Sequence, residues 1–235
     1  MTATAASAPR RGTRPGRSEP SSWLPITALI TLGLLPVVAS RLAAIASGRL
    51  TASGGDVLGG AVPILAHLIG ATVFVVVGAF QFAPRLRRSH PRWHRLAGRV
   101  VLAAGLAAAL SGLWINQFGQ RHDDLLYLFR WAAGAAVIVS LALGLRAILS
   151  RRIPAHRAWM IRAYAISLGA GTQVFTLGFG KALGDEEPTV ALLNLAGWVV
   201  NLAVAELIIA RGSRTRRRPI RTPPSRITAS ERQLS

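Results

Sequence analysis

Six long apolar stretches separate seven polar segments of this chain, and the charges of those segments alternate along it. The first, third, fifth and seventh polar segments are counted together with the adjoining helix turns. They contain 23 arginines and three acidic residues. The three segments between them contain Arg49, Arg121 and Lys181 against six acidic residues. Because loops rich in Lys and Arg stay on the cytoplasmic side of a membrane, this order predicts six crossings with both termini in the cytoplasm.

Composition agrees with an all-α, polytopic transmembrane helical bundle. The chain is 51% hydrophobic with a mean hydropathy of +0.40, which is high for a soluble domain. The net charge of +19 would otherwise suggest nucleic acid, but the excess lies in the predicted cytoplasmic segments. We therefore expect anionic lipid headgroups, and no specific nucleic acid, as its partner. The absence of cysteine excludes disulfides, thiolate chemistry and iron–sulfur clusters.

The polar and apolar pattern divides the chain into three parts. Residues 1–21 are predicted to be a disordered basic tail, residues 22–210 the six-helix domain, and residues 211–235 a disordered Arg-rich cytoplasmic tail. The helices are predicted at 23–46, 57–83, 96–117, 125–149, 158–180 and 189–210. Residues 43–47 resemble a signal-peptide cleavage site, but the apolar run is long for a signal peptide, and we expect the first helix to be retained.

His67 is the one ionisable residue that the pattern places near the middle of the membrane. It lies about 15 Å from the outer end of the second predicted helix, at 1.5 Å per residue. Gly70, Gln81 and Arg85 follow on the same helix face. This arrangement fits a haem or metal ligand or a proton-relay group, and it fits equally a neutral histidine bonded to a neighbouring helix.

His94 and His156 lie at the cytoplasmic starts of the third and fifth predicted helices, so antiparallel packing places them at one depth. Two histidines at equal depth are the minimum for a bis-histidine haem or a metal site. With nearby guanidinium groups they would instead hold a phosphate or a carboxylate. Interfacial polar residues that meet lipid phosphates are the third interpretation. The guanidinium groups concerned are those of Arg95, Arg99, Arg157 and Arg162.

Two further polar stripes lie on the last two predicted helices. Gln173 and Thr176 recur at helical spacing on the fifth, and Asn194 and Asn201 do so on the sixth. Such groups either line a cavity or bond between helices. Glu206 lies near the arginine-rich side, where we expect an ion pair, with a proton-coupling carboxylate as the alternative.

Several short motifs in these segments resemble those of a known family. They are Gly78-Ala79-Phe80-Gln81-Phe82, His94-Arg95-Leu96-Ala97-Gly98-Arg99-Val100, and His156-Arg157-Ala158-Trp159-Met160-Ile161-Arg162-Ala163-Tyr164-Ala165, with His67, Gly70, Arg85 and Arg87. On these residues the chain is similar, over about 60–205, to the bacterial predicted membrane proteins grouped as domain of unknown function 2306. The resemblance implies a multi-helix protein of the bacterial inner membrane and brings no established activity. Family members often have a tyrosine at the position of Val101, and many have an arginine where this chain has Gln173.

Three functional hypotheses follow. The first is small-solute transport or binding between the second, third and fifth helices, using His67, Gln81 and Gln173 with the Arg/His cluster at the cytoplasmic mouth. The second is a haem-binding redox protein resembling a b-type cytochrome, with His67 or the His94/His156 pair as ligands. The third is a non-catalytic module that binds lipid or partner helices, including further copies of itself. No nucleotide-binding or hydrolase motif occurs in the sequence. The three hypotheses include both catalytic and non-catalytic roles, so whether the protein is an enzyme stays open.

Overall fold

The computed structural model describes residues 38–39, 43, 46–47, 61–118, 125–180, 184 and 186–216. Within the long described stretches every regular element is an α-helix, which confirms the all-helical prediction. The helices are α1 Ala61–Gln81, α2 Pro84–Ser89, α3 Pro91–Phe118, α4 Leu125–Leu149, α5 Ile153–Ser167, α6 Gly169–Gly180 and α7 Glu187–Arg216. Four of these helices, α1, α3, α4 and α7, are long and apolar enough to cross a membrane.

Proline lies in the first turn of five of these helices, with Pro63 in α1 and Pro188 in α7. Pro84, Pro91 and Pro154 each lie in the first turn of α2, α3 and α5, where the missing amide hydrogen costs no hydrogen bond. Pro91 therefore begins α3 five residues before the apolar stretch that predicted it, and His94 lies inside the helix. At the other end of the chain, α7 continues six residues past 210, through Arg216.

The fifth predicted helix is not continuous, which corrects the sequence prediction. It ends as α5 at Ser167, has a turn at Leu168 and resumes as α6 at Gly169. The carbonyl of Ala165, which would serve the amide of residue 169 in an unbroken helix, accepts a hydrogen bond from Asn201 Nδ2 at 3.1 Å. A side chain inserted into the ladder next to glycine is an established cause of a helix break.

The first predicted helix lies outside the described residues apart from residues 38–39, 43 and 46. Of these, Val38 packs against the hydrophobic core. The count of six crossings and the cytoplasmic location of both termini remain predictions.

Neighbouring helices pack antiparallel. On α1 and α3, Gly70 approaches Ala104 and Ala108, while Gln81 at the end of α1 approaches Gly98 near the start of α3. α4 packs between α3 and α5, and α7 contacts α4, α5 and α6. The centre of the bundle is filled by side chains that are almost completely buried, among them Phe74, Val75, Val101, Leu141 and Tyr164.

Many large apolar side chains face outward on the four long helices. In water such a surface would be unfavourable, whereas lipid tails solvate it without cost. The outward side chains support membrane insertion of these helices. Those more than half exposed on α3, α4 and α7 include Leu96, Leu110, Leu128, Leu149, Leu192, Val199 and Leu207.

The antiparallel packing collects five helix ends at one side of the bundle. The ends of α1, α4 and α7 lie there with the starts of α3 and α5, and α2 connects two of them. We call this side the arginine-rich end. Its described arginines include Arg87, Arg88, Arg92, Arg95, Arg99, Arg151, Arg152 and Arg157.

Candidate ligand site at the arginine-rich end

His67 is bound to a neighbouring helix. Its Nδ1 lies 2.8 Å from the carbonyl oxygen of Ala108 on α3, and Gly112 leaves room for the ring. Because a carbonyl oxygen only accepts, Nδ1 carries the hydrogen. The geometry matches the interhelical hydrogen bond that was one of the two interpretations of this residue.

His156 repeats this arrangement at the arginine-rich end. Its Nδ1 donates to the carbonyl oxygen of Gly144 on α4 at 2.8 Å. The contact depends on a tight turn in which Arg151 adopts a left-handed φ of 57°, and Arg152 N donates to Ala147 O at 2.8 Å. This turn folds α5 directly back onto α4. The bond thereby orients the ring of His156 and leaves Nε2 as the nitrogen that a further partner can reach; Nε2 is a donor in the charged ring and an acceptor in the neutral one.

His94 lies near His156, as the shared depth of the two residues predicted. Arg87 and His156 are close enough to His94 for their charges to act on its ring. His94 belongs to the inward stripe of α3 that continues through Ala97 and Val101, and its side chain is half-buried. Two histidines and an arginine from three different elements are therefore within range of electrostatic interaction.

Gln81 lies one helical turn deeper than His94. Its Oε1 is 3.5 Å from the position that a Cβ on Gly98 would take, and Gly98 follows His94 by four residues on the same face of α3. The Nε2 atom of Gln81 is buried and has no hydrogen-bond partner within the described part of the chain. A buried amide donor without a partner is unusual and calls for an acceptor.

Aromatic side chains close the site on the side of the core. The ring of Tyr164 packs on Gly78, where a Cβ would come within 3.1 Å of it, and stands 5.1 Å from the ring of Phe82. The Tyr164 hydroxyl donates to the carbonyl oxygen of Val75 at 2.8 Å. Below Gln81 the bundle is therefore tightly packed, so the site opens toward the arginine-rich end.

The predicted arginines divide into two groups. Arg95, Arg99 and Arg157 are exposed around the site. Arg162 instead pairs with Glu206, with Nε to Oε1 at 2.5 Å and Nη2 to Oε2 at 2.9 Å, and lies 4.6 Å above the Trp159 ring. This confirms the predicted ion pair of Glu206. Arg85 belongs to α2, and its side chain lies outside what the structure describes.

Gln173 is not brought together with His67 and Gln81, as the first hypothesis expected. Its Nε2 donates to Asn194 O on α7 at 3.0 Å, whereas the contacts of His67 lie on α3. Gln173 lies against Gly197 of α7, and this close approach directs the Gln173 side chain toward α7. The amides and hydroxyls of this stripe serve helix–helix bonding.

Three contributors to the site were missed as site residues in the sequence. Tyr164 was noticed solely as part of a motif, although it follows His156 by eight residues and so lies on nearly the same face of its helix. Gly98 likewise stood only within a motif, and Gly144 was one of the small residues that allow close helix approach. The hydrogen bond between Tyr164 and Val75 joins residues 89 positions apart, so local spacing gives no signal for it.

The electrostatics of the site favour anions. At an effective dielectric constant of about 20, a cation about 6 Å from one guanidinium is disfavoured by roughly 3 kcal/mol, and an anion is favoured by as much. Among the described residues, no group of three or more His, Cys, Asp or Glu side chains is placed to hold a metal ion. Guanidinium and imidazole groups at this end therefore suit carboxylate or phosphate oxygens.

A family model for predicted membrane proteins, domain of unknown function 2306, matches residues 64–209. The match covers more than half of the chain and includes every described helix that contributes to the site. The protein therefore belongs to this family of predicted membrane proteins. Searches of curated proteins and of solved structures give no significant match.

Proposed function

We propose that the protein binds a small anionic solute at its arginine-rich end. The observation that carries the proposal is the convergence of His94, His156 and Arg87 from α3, α5 and α2. The bond from His156 to Gly144 O fixes one of these rings before any ligand arrives, which lowers the entropic cost of binding. Because the core below is filled, binding at this end, rather than a route through the bundle, is the step that the geometry supports.

Thermal unfolding of the full chain tests this proposal. The protein is placed in nanodiscs of zwitterionic phosphatidylcholine, and its midpoint is measured with inorganic phosphate or acetate against chloride. Binding to the folded state raises the midpoint with ligand concentration. We expect His94→Gln and His156→Gln to lose this rise. His90→Gln is the matched control, because His90 is exposed at the same end and bonds to the adjacent Ser89.

Two outcomes would contradict the proposal. One is a wild-type midpoint that does not respond to either anion. The other is stabilisation by anionic phosphatidylglycerol in the disc, lost in His156→Gln, with no further effect of added phosphate. The second result would assign the same cluster to lipid headgroups, as the third sequence hypothesis states.

Haem binding is a second candidate, favoured by one specific observation. His156 donates through Nδ1 to a backbone carbonyl, as metal-bound histidines commonly do, and so presents Nε2 for ligation. Nearby arginines suit haem propionates. The protein expressed with ample haem would then show a Soret band that shifts on dithionite reduction and disappears in His94→Ala or His156→Ala. A colourless protein would exclude this candidate.

We further propose that the protein is a multi-pass protein of the cytoplasmic membrane with both termini inside. The gathering of arginines at one end of the described helices supports this orientation. A reporter that is active only in the periplasm, fused after Ser235, should be silent. Activity of that fusion would overturn the orientation. The lipid-binding role of segment 211–235 falls mostly on residues outside the described part, and salt-sensitive loss of binding to anionic vesicles on its deletion would test it.

A further inference from the structure

Gln81 has a feature that anion binding by the histidines does not explain. Its Nε2 is buried without a partner in the described chain, at the level of Gly98. Leaving such a donor unpaired is unfavourable, so an acceptor belongs at this position when the site is filled. The position is about 6 Å deeper than His94, since Gly98 lies four residues further along α3 at 1.5 Å per residue.

The space next to Gln81 is bounded by small or apolar groups. Gly98 presents no side chain, and the Gln81 amide faces it through Oε1 at 3.5 Å from the Cβ position; Phe82 and Tyr164 pack on each other nearby, with Tyr164 against Gly78 one turn away on α1. No acidic side chain among the described residues of α1, α2 and α3 is available to satisfy the amide, because these helices contain none. The missing acceptor is therefore best supplied by the ligand.

On the basis of the proposed anion site, we infer that the ligand is a small dicarboxylate, with Gln81 as the residue that binds its second carboxylate. The first carboxylate contacts His94, His156 and Arg87, and the second reaches the Gln81 amide one turn deeper. A four-carbon diacid in its extended form is of comparable length. The surrounding excess of arginine, including Arg95 and Arg99, favours two negative charges over one.

Succinate and butyrate distinguish this inference from simple anion binding, because both have four carbons but only succinate has a second carboxylate. Affinities are measured for the full chain in phosphatidylcholine nanodiscs, with inorganic phosphate as a third probe. We expect succinate to bind the wild type at least about tenfold more tightly than butyrate, the equivalent of one hydrogen bond to a charged group. Gln81→Leu should lower succinate affinity by about tenfold, the loss of that one hydrogen bond, and lower butyrate and phosphate affinity much less.

Gly98→Ala is a second, independent variant. A methyl group there meets Gln81 Oε1 at 3.5 Å, an ordinary contact that the fold tolerates, but it occupies the space next to the amide. We expect weaker succinate binding at an unchanged midpoint of thermal unfolding. Gln117→Leu, at the far end of α3, is the control and should keep the preference for succinate.

The outcomes separate this inference from the proposed function. If butyrate and phosphate bind in a way that depends on His156, while Gln81→Leu and Gly98→Ala leave succinate affinity unchanged, the anion site stands and the role of Gln81 is overturned. If no anion binds the wild type, the proposed function itself fails, and the dicarboxylate fails with it. Selective loss of succinate in both variants would support both.

Discussion

Two helix pairs of this bundle approach closely through glycine, yet they are held together differently. In the α1–α3 pair, Gly70 brings the two backbones together, with a Cβ at that position only 2.9 Å from Ala104 O and 3.0 Å from Ala108 N. In the α6–α7 pair, Gly169 and Gly180 instead receive the side chains of Trp198 and Leu193. At Gly70 the contact is made between main chains, whereas at Gly169 and Gly180 large side chains lie over the glycines.

The polar groups of the two pairs also differ. The α6–α7 pair is connected by Gln173 to Asn194 O, Thr176 to Leu193 O at 2.8 Å, and Thr172 to Asn201 Oδ1 at 2.9 Å. In the α1–α3 pair, His67 forms one such bond, while Gln81 at the arginine-rich end has a buried donor without a described partner. Polar residues thus connect the two helices at several points in the α6–α7 pair, while in the α1–α3 pair one buried donor has no described partner.

The largest effect is expected where main chains meet. Gly70→Val places a branched side chain against Ala104 O and Ala108 N, which cannot move unless the helices separate. We expect the free energy of unfolding to fall by about 1–3 kcal/mol or more, the usual effect of overpacking, as measured by thermal unfolding in mild detergent. Gly178→Val is the control, because no described atom lies within 4 Å of its Cβ position. Equal midpoints for the two variants would show that α1 and α3 are not in contact as described.

The next effect concerns the break between α5 and α6. Asn201→Leu leaves the carbonyl of Ala165 and the hydroxyl of Thr172 without their partner. A buried group that loses its partner costs about 1–3 kcal/mol in soluble proteins, and interhelical bonds in membranes average nearer 0.6. We expect a loss of about 1–2 kcal/mol, with a smaller loss for Thr172→Val, which removes one of the two bonds. An Asn201→Leu protein as stable as the wild type would mean that glycine alone causes the break.

The four long helices and the faces of their polar residues were predictable because both depend on local periodicity. Asn194, Gly197 and Asn201 do share one face toward α6, as their spacing of three and four residues required. The break at Leu168 was not predictable, since its partner Asn201 lies on another helix, 36 residues from Ala165.

The candidate site was predictable in part for the same physical reason. Antiparallel hairpins with short connections should place His94 and His156 at one level, and the electrostatic interaction between the two rings agrees with this. The partners of His67 and His156 are backbone carbonyls, which every residue possesses, so the sequence contains no signal for Ala108 or Gly144. Gln173 was wrongly grouped with His67 because helical spacing gives a residue's face but not the neighbour that the face meets.

A smaller effect separates the two histidines that share the same geometry. His67→Leu removes the bond to Ala108 O, but Ser111 Oγ also donates to this carbonyl at 3.2 Å, so the acceptor stays satisfied. We expect a loss of about 1 kcal/mol or less in stability and unchanged phosphate binding. His156→Leu should cost a similar amount in stability and abolish that binding. Loss of binding in His67→Leu would place the ligand between α1 and α3 instead.

The smallest effect is expected for the ion pair between α5 and α7. The side chains of Arg162 and Glu206 are 26% and 52% exposed, so the surroundings screen their attraction despite the bidentate geometry. We expect Glu206→Gln to lower stability by about 0–1 kcal/mol, and less in high salt, as measured by thermal unfolding. Glu186→Gln, which removes the same negative charge from an exposed residue just before α7, controls for net charge. A larger, salt-independent loss would show that the pair is shielded by lipid or another helix, and α5–α7 would then resemble the polar α6–α7 pair.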